Sequence, residues 1–156
     1  MSEQKRHLAA IMFTDIVGYS AMGQKDESLA LELLEEHRAL LRPLFARHDG
    51  TEIKTIGDAF LVEFGSAVEA AQCSIEMQRS LSSRNAINPE GRKVQIRIGL
   101  HLGDIFHREG DVYGDGVNIA SRIEPLAEPG GMVPAKRWRP LKEEKTNQSP
   151  CFHLST

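Results

Sequence analysis

The sequence predicts an α+β fold. Up to Leu102, hydrophobic periodicity gives strand-like and helix-like segments in the order strand, helix, strand, strand, helix, strand. Two of the predicted strands are separated only by Gly57-Asp58, which is a hairpin spacing. This order is that of a ferredoxin-like βαββαβ core.

The first strand and the first helix follow from apolar spacing. Leu8 to Phe13 is a continuous apolar run, which is typical of a buried central strand. From Asp26 to His48, leucines recur at intervals of three and four residues among charged residues, which predicts an amphipathic helix. Pro43 lies inside this segment and predicts a bend or interruption, because proline removes a helical hydrogen bond.

A tight hairpin comes next. Thr51 to Ile56 and Ala59 to Phe64 both read as strands, and a two-residue Gly-X connection predicts a type II′ turn. Asp58 is therefore expected at the tip of the hairpin. The second helix begins at Ser66, because Ser66 and Glu69 have the spacing of a capping box.

The segment after the second helix alternates. Val94 to Leu102 places apolar residues on one face of a strand, with Arg97, Gly99, His101 and Gly103 on the other. A loop is predicted from Asp104 to Gly114, followed by a short helical segment from about Val117 to Leu126. We expect His101 to be a structural or interface residue.

The predicted topology brings two carboxylates together. A right-handed crossover makes the first two strands parallel, with the third strand between them and antiparallel to both. Asp15, at the end of the first strand, and Asp58 then lie at one edge of the sheet. Converging carboxylates suit magnesium or manganese carrying substrate phosphates. The alternative is that both aspartates only form turns or cap a helix.

Composition excludes several classes of protein. The 156 residues are 40% hydrophobic and 26% charged, which is ordinary for one globular domain. A net charge of -3 argues against a nucleic-acid binder that works by neutralising phosphates. No long apolar run is present, so we expect a cytoplasmic location. The cysteine content, Cys73 and Cys151 alone, argues against a disulfide framework.

Three blocks of this sequence resemble a known family. They are Phe13–Ser20 (FTDIVGYS), Lys54–Asp58 (KTIGD) and Tyr113–Arg122 (YGDGVNIASR). Together they are similar to the signature blocks of class III adenylate/guanylate cyclase catalytic domains, in order and at family spacing, from about Leu8 to Gly131. The resemblance implies conversion of a nucleoside triphosphate to a cyclic nucleotide, with two Mg²⁺ or Mn²⁺ ions at each site. It also implies sites shared across a head-to-tail homodimer and an upstream sensor or regulatory domain outside this chain.

The resemblance also implies a role for individual residues. The metal site would comprise Asp15, Ile16 and Asp58, with Val17, Gly18 and Tyr19 binding substrate beside it. Lys54 and Asp111 would read the purine, and their donor and acceptor pattern favours ATP. Asn118 would position the ribose and Arg122 would stabilise the transition state. Without the motifs, Lys54 could be an exposed strand lysine, Asp111 a turn residue, Asn118 a cap and Arg122 a solvated helix charge.

The resemblance ends after Gly131. Family members continue there with further strands and a helix, including a lysine that contacts the triphosphate, and we expect these to be missing or altered in this chain. Residues 132–156 carry five Lys or Arg against two Glu, a net charge of +3, whereas the preceding residues carry -6. We therefore predict a catalytic domain over residues 1–131 and an atypical, poorly ordered tail over residues 132–156.

Three functions are compatible with this sequence. We favour an adenylate cyclase domain that acts on ATP. The second is a regulatory or dimerisation module that has lost activity through its altered end. The third is another phosphotransferase with the same metal-bearing edge, such as a dinucleotide cyclase.

Overall fold

The chain forms one sheet with helices packed on it. A computed structural model describes residues 5–134 and 152–153. The strands in this part of the chain are β1 (His7–Ile16), β2 (Gly50–Ile56), β3 (Ala59–Phe64), β4 (Ile96–Arg108), β5 (Asp111–Tyr113), β6 (Gly131–Pro134) and β7 (Phe152–His153). The helices are α1 (Tyr19–Lys25), α2 (Glu27–Arg47), α3 (Ala67–Ala86) and α4 (Asp115–Ile123), with short 3-10 turns at Glu90–Arg92 and Glu124–Leu126.

The strand order confirms the predicted fold class. Hydrogen-bonded neighbours follow the order β2-β3-β1-β4-β6-β7, and β5 pairs with β4. Strand β3 lies between β1 and β2 and is antiparallel to both, while β4 is antiparallel to β1 on its other side. The first four strands and the helices between them are therefore a ferredoxin-like βαββαβ core.

The helix predicted from Asp26 to His48 is α2, and a separate short helix, α1, precedes it. Helix α1 starts directly after Gly18, and Asp26 then caps α2 by accepting the N–H of Leu29 at 3.0 Å. Helix α2 continues through Pro43, so no interruption occurs there. The following residues Leu44 and Phe45 are buried, and their packing offsets the lost helical hydrogen bond.

The predicted turn chemistry holds at two positions. Gly57 has φ +60°, whereas Asp58 has no positive φ, as a type II′ turn requires. The Ser66 side chain accepts hydrogen bonds from Val68 N and Glu69 N, at 3.2 and 3.4 Å, and so caps α3. The Glu69 carboxylate completes no reciprocal cap but contacts His48 Nδ1 at 3.1 Å.

The prediction of a loop from Asp104 to Gly114 is wrong. Strand β4 continues to Arg108 and turns back into β5, with Arg108 opposite Asp111. Both turn residues, Glu109 and Gly110, have positive φ (52° and 77°), as in a type I′ turn. The hairpin is stabilised because Ile105 and Val112 are both buried on the same face of the sheet. The sequence prediction of a loop did not take this apolar packing into account.

The two faces of the sheet have separate cores. The larger core lies under α2 and α3 and includes Met12, Phe60, Phe64, Met77 and Ile98. The opposite face, here called the α4 face, has a smaller cluster: Ala9, Ile11, Leu61, Ile105, Val112 and Ala120. Leu102 was predicted to face the core but is 44% exposed, because along β4 the larger core ends two residues earlier, at Leu100.

Beyond Gly131 only a few residues are described. Strand β6 runs parallel to β4, and its Met132 is buried in the larger core. Most of the predicted tail lies outside the described residues, so the division at Gly131 and the poor order of the tail stay predictions. Within the described part of the chain, none of the helices has the length and apolar character needed to cross a membrane.

One buried histidine makes the stability of this fold depend on pH. His37 on α2 is 1% exposed and packs against Phe60, and its Nδ1 contacts Leu34 O at 3.1 Å. Burial lowers the pKa of His37 to about 4. The unfolded chain, with an ordinary histidine pKa of about 6.5, therefore binds a proton more readily than the folded chain does.

We expect the free energy of unfolding to fall as the pH decreases from about 6.5 to about 4, by about 3 kcal/mol through His37. His37→Leu removes this titrating group, so the variant should lose correspondingly less stability over the same interval. Urea denaturation across that range measures the difference. Parallel curves for the variant and the original chain would contradict the assignment.

Candidate functional site

Two aspartates meet where β1 ends. Asp15 is the penultimate residue of β1, and Asp58 is at the tip of the β2–β3 hairpin. The Ile16 N–H donates to Asp58 Oδ2 at 2.8 Å, so the hairpin tip is joined directly to the strand end. The structure thus brings Asp15, Ile16 and Asp58 together, as the topology predicted.

A third carboxylate, which sequence analysis missed, lies at the same edge. Glu124, in the 3-10 turn after α4, is 2% exposed and interacts with Asp15. Burial first, and then the neighbouring Asp15 carboxylate, holds the pKa of Glu124 well above its usual range. Arg97, directly opposite Asp15 on β4, acts in the other direction through its positive charge.

Glu124 reaches this position because Gly99 has no side chain. A Cβ on Gly99 would lie 2.7 Å from Ala120 O and 2.8 Å from Glu124 N, both backbone atoms. The end of α4 can therefore pack directly on β4 only where β4 carries glycine. The carboxylate of Glu124 is consequently buried beside Asp15 instead of pointing into solvent.

The oxygen atoms at this edge fit a divalent cation. Asp15 Oδ1 and Glu124 Oε1 are both buried, and among the described residues no N–H or hydroxyl group donates to either atom, so apart from the interaction between the two carboxyl groups they have no partner. Buried carboxylate oxygens without partners are costly unless a proton or a cation neutralises them. The donors are all oxygen, which is the ligand set that magnesium and manganese prefer.

The turn after β1 leads into a helix. Val17 N donates to Gln95 O at 2.8 Å, so this amide is already used within the fold. Gly18 has φ +69° and is the N-cap residue of α1, which begins at Tyr19. Any backbone contact of Val17, Gly18 and Tyr19 with a substrate would therefore come mainly from the last two residues.

Lys54 and Asp111 form an ion pair. Lys54 Nζ lies 2.7 Å from Asp111 Oδ2, which joins β2 to β5. The hydrogen bond from Lys54, followed by that from Val112 N, lowers the pKa of Asp111 below its ordinary value. Asp111 therefore remains an ionised acceptor beside a permanent donor, and both side chains are accessible to solvent.

Asn118 and Arg122 lie on α4. Both are exposed, and they are separated by one turn of the helix. Helix α4 packs on β4 and β1, so its exposed face points away from this chain's own core. No described contact joins either side chain to Asp15 or Asp58.

The geometry first defines a class. This chain is a ferredoxin-like domain with three carboxyl groups at one sheet edge and a donor–acceptor pair that joins β2 to β5. Comparison with known proteins is consistent with that class. The family profile described as "Adenylate and Guanylate cyclase catalytic domain" matches residues 1–149.

The curated relatives include proteins named as adenylate cyclases and proteins named as guanylyl cyclases. The chain is 45% identical over 130 residues to "Putative adenylate cyclase 3" of Rhizobium meliloti (strain 1021), covering 83% of this chain and 22% of that protein. It is 30% identical over 138 residues to "Retinal guanylyl cyclase 2" of Homo sapiens, covering 78% of this chain and 12% of that protein. The chain thus spans less than a quarter of the length of either relative.

A solved structure shares the fold. The adenylate/guanylate cyclase/hydrolase from Silicibacter pomeroyi superposes with a TM-score of 0.79 at 35% identity, covering 85% of this chain and 78% of that chain. This chain therefore belongs to the family of adenylate and guanylate cyclase catalytic domains, as the three sequence blocks indicated.

The close approach at Gly99 can be tested by substitution. Gly99→Ala places a methyl group against two backbone atoms, which must move, so we expect the free energy of unfolding to fall by roughly 1–3 kcal/mol. Displacement of the 3-10 turn should also expose Glu124. Chemical denaturation measures the stability, and hydrogen exchange of the α4 amides measures the displacement.

Gly23→Ala is the matched control. Gly23 lies in α1, and a Cβ there would meet no atom within 4 Å. Alanine favours a helix over glycine by up to about 1 kcal/mol, so this variant should be neutral or slightly more stable. Equal stability of the two variants would show that the approach of α4 to β4 does not require glycine.

Proposed function

We propose that this domain converts ATP to cyclic AMP and pyrophosphate, using two divalent ions at sites shared by two copies of the chain. The observation that supports ATP is the Lys54–Asp111 pair, with its 2.7 Å separation and ionised carboxylate. Family membership supports cyclisation of a nucleoside triphosphate, but it does not distinguish ATP from GTP.

The pair matches the edge of adenine. Lys54 would donate to the ring nitrogen N1, which is an acceptor in adenine, and Asp111 would accept from the exocyclic amino group. Guanine presents the reverse pattern at these positions. Adenine that binds between the two side chains replaces their mutual contact with two hydrogen bonds of matching polarity, whereas guanine would place a donor against Lys54 and an acceptor against Asp111.

Asp15, Ile16 and Asp58 would hold the Mg²⁺ or Mn²⁺ ions, and the Ile16 amide already joins the two aspartates' segments through its hydrogen bond to Asp58. Bound divalent ions supply two effects: they lower the pKa of the ribose 3′ hydroxyl and they neutralise charge on the departing pyrophosphate. Glu124 would keep Asp15 in place, because its carboxyl contacts that residue and is shielded from solvent.

Asn118 and Arg122 would act on the substrate of a second copy. Arg122 is permanently charged and fork-shaped, which suits charge developing on phosphoryl oxygens, and Asn118 can orient the ribose. Both residues are exposed on α4 with no described contact to this chain's own aspartates. A head-to-tail dimer with two-fold symmetry would bring each pair to the partner's Asp15 edge.

A regulatory or dimerisation module without turnover is the second candidate. We expect the triphosphate-contacting lysine of family members to have no counterpart in residues 132–156, whose net charge of +3 differs from that of the rest of the chain. This candidate predicts the same fold and dimer but no product. A cytoplasmic location and a separate sensor domain also stay predictions.

The direct test is incubation of the purified chain with ATP and manganese, followed by detection of cyclic AMP. Asp58→Asn should lower turnover at least about a hundredfold, equivalent to about 3 kcal/mol, while the fold stays intact. Asp49→Asn is the matched control, because Asp49 is also a turn aspartate, with φ 55° that asparagine tolerates.

Product from the original chain and from Asp49→Asn, but not from Asp58→Asn, supports the proposal. Turnover by Asp58→Asn close to that of the original chain at saturating manganese would show that the metal assignment is wrong. An inactive but folded and dimeric original chain would favour the regulatory module.

The purine reader is tested by inverting its pattern. We expect the double variant Lys54→Glu with Asp111→Cys to lower the ratio of ATP to GTP turnover by at least about tenfold, because adenine then faces mismatched groups. The same exchange at the exposed pair Lys93–Glu90, which are 2.8 Å apart, is the control. Competition between the two nucleotides gives the ratio directly, and an unchanged ratio in the first variant would exclude this pair as the reader.

A further inference from the structure

A second group of side chains of the types that ligate metals lies at the opposite end of the α4 face. It consists of His7 at the start of β1, Glu63 on β3 and His107 in the extended part of β4, and is here called the His/Glu cluster. Asp15 lies eight positions after His7 on β1. At about 3.4 Å per residue, the cluster lies about 27 Å from the aspartates.

The three side chains converge on one point. His7 Nε2 lies 2.9 Å from Glu63 Oε1, and His107 Nε2 lies 3.1 Å from the same oxygen and 3.0 Å from Glu63 Oε2. The two imidazole rings are stacked, with centroids 5.2 Å apart and an angle of 9° between their planes. One ligand atom from each residue lies within 4.8 Å of the others.

This donor set fits a zinc ion. Two imidazole nitrogens and one carboxylate oxygen are ligands that zinc binds at about 2.0–2.2 Å, in a tetrahedral arrangement. Tetrahedral geometry at those bond lengths places ligand atoms about 3.3–3.5 Å apart, which is only a few tenths of an ångström more than the contacts to Glu63. The contacts to Glu63 are therefore already close to ligand spacing, and the two stacked rings must turn toward a common point to admit the ion.

The backbone holds the ligands in place. All three residues lie on adjacent strands in the order β3-β1-β4, and the Glu63 side chain is only 12% exposed. Both histidines remain accessible to solvent, with side-chain exposures of 44% and 47%. A metal ion can thus enter from solvent and find a largely preformed site.

Another cluster, of one histidine and two glutamates, lacks this geometry. His48 also contacts two acidic residues, but Glu69 contacts its Nδ1 at 3.1 Å and Glu76 its Nε2 at 2.6 Å. The two carboxylates are on opposite sides of the ring, so they cannot share one ion with it. Histidine and glutamate are therefore close together in both clusters, but only in the His/Glu cluster do the ligand atoms of all three residues lie close enough to share one ion.

We propose that His7, Glu63 and His107 bind one zinc ion, with solvent completing the fourth position. The inference does not rest on the nucleotide chemistry of the domain. Bound zinc would tie the β4–β5 hairpin to the start of β1, because His107 is directly opposite Val112. Asp111, the neighbour of Val112, contacts Lys54, so the same hairpin carries the purine reader.

Zinc titration of the tag-free full chain in excess magnesium tests the proposal. Calorimetry should show one zinc per chain, and zinc should raise the thermal midpoint, since it binds the folded state. His107→Gln should weaken zinc affinity at least about tenfold and reduce the rise in the midpoint. His48→Gln, the control from the cluster without convergence, should retain both effects.

Two more variants distinguish zinc at the His/Glu cluster from zinc at the carboxylate edge. Glu63→Gln should also weaken binding, whereas Asp58→Asn should retain it, because that aspartate is at the far end of the sheet. Circular dichroism without zinc confirms that each variant is folded. Unchanged zinc affinity in both His107→Gln and Glu63→Gln, or loss of binding in Asp58→Asn alone, would overturn the proposed site.

Discussion

The hydrogen bond from the Ile16 amide to the Asp58 carboxylate joins the two parts of the chain that form the carboxylate edge. It spans 42 residues of sequence and is 2.8 Å long. A second contact, from Phe60 N to the Thr14 hydroxyl at 3.3 Å, lies directly behind it and is buried. The hairpin tip is thereby held against the end of β1. Asp15 then lies between this tip and Glu124, and an edge with three carboxylates results.

Much of the fold could be predicted because the early strands and helices bury continuous or periodic apolar residues. The β4–β5 hairpin could not, since Gly103 and Asp104 interrupt the alternation just before Ile105. Its turn, Glu109-Gly110, also lacks the Asn-Gly or Asp-Gly pair that signals a type I′ turn. Ile105 and Val112 are buried in one cluster with Ala120 of α4, a residue distant from Ile105 in the sequence. Tertiary packing therefore decides this element.

The residues of the candidate site also differ in whether the sequence alone could predict their positions. Asp15 and Asp58 follow from topology, because strand order alone places a strand end beside a hairpin tip. Lys54 and Asp111 were connected only through the family resemblance, since their contact requires the hairpin that periodicity missed. Glu124 had no sequence signal at all: a glutamate after a short helix normally reads as a solvated charge, and its burial depends on the missing side chain of Gly99.

The two ends of the α4 face have different chemistry, which bears on metal selectivity. The end with Asp15 offers only oxygen ligands, a set that favours magnesium or manganese. The His/Glu cluster offers two nitrogens, which favour zinc over magnesium. Between them lies the small apolar cluster around Ile11 and Ile105, which contributes no ligands. Each end would thus select ions by ligand type, so excess magnesium should occupy the proposed first site without competing at the proposed second, and zinc binding there could be measured independently of catalysis.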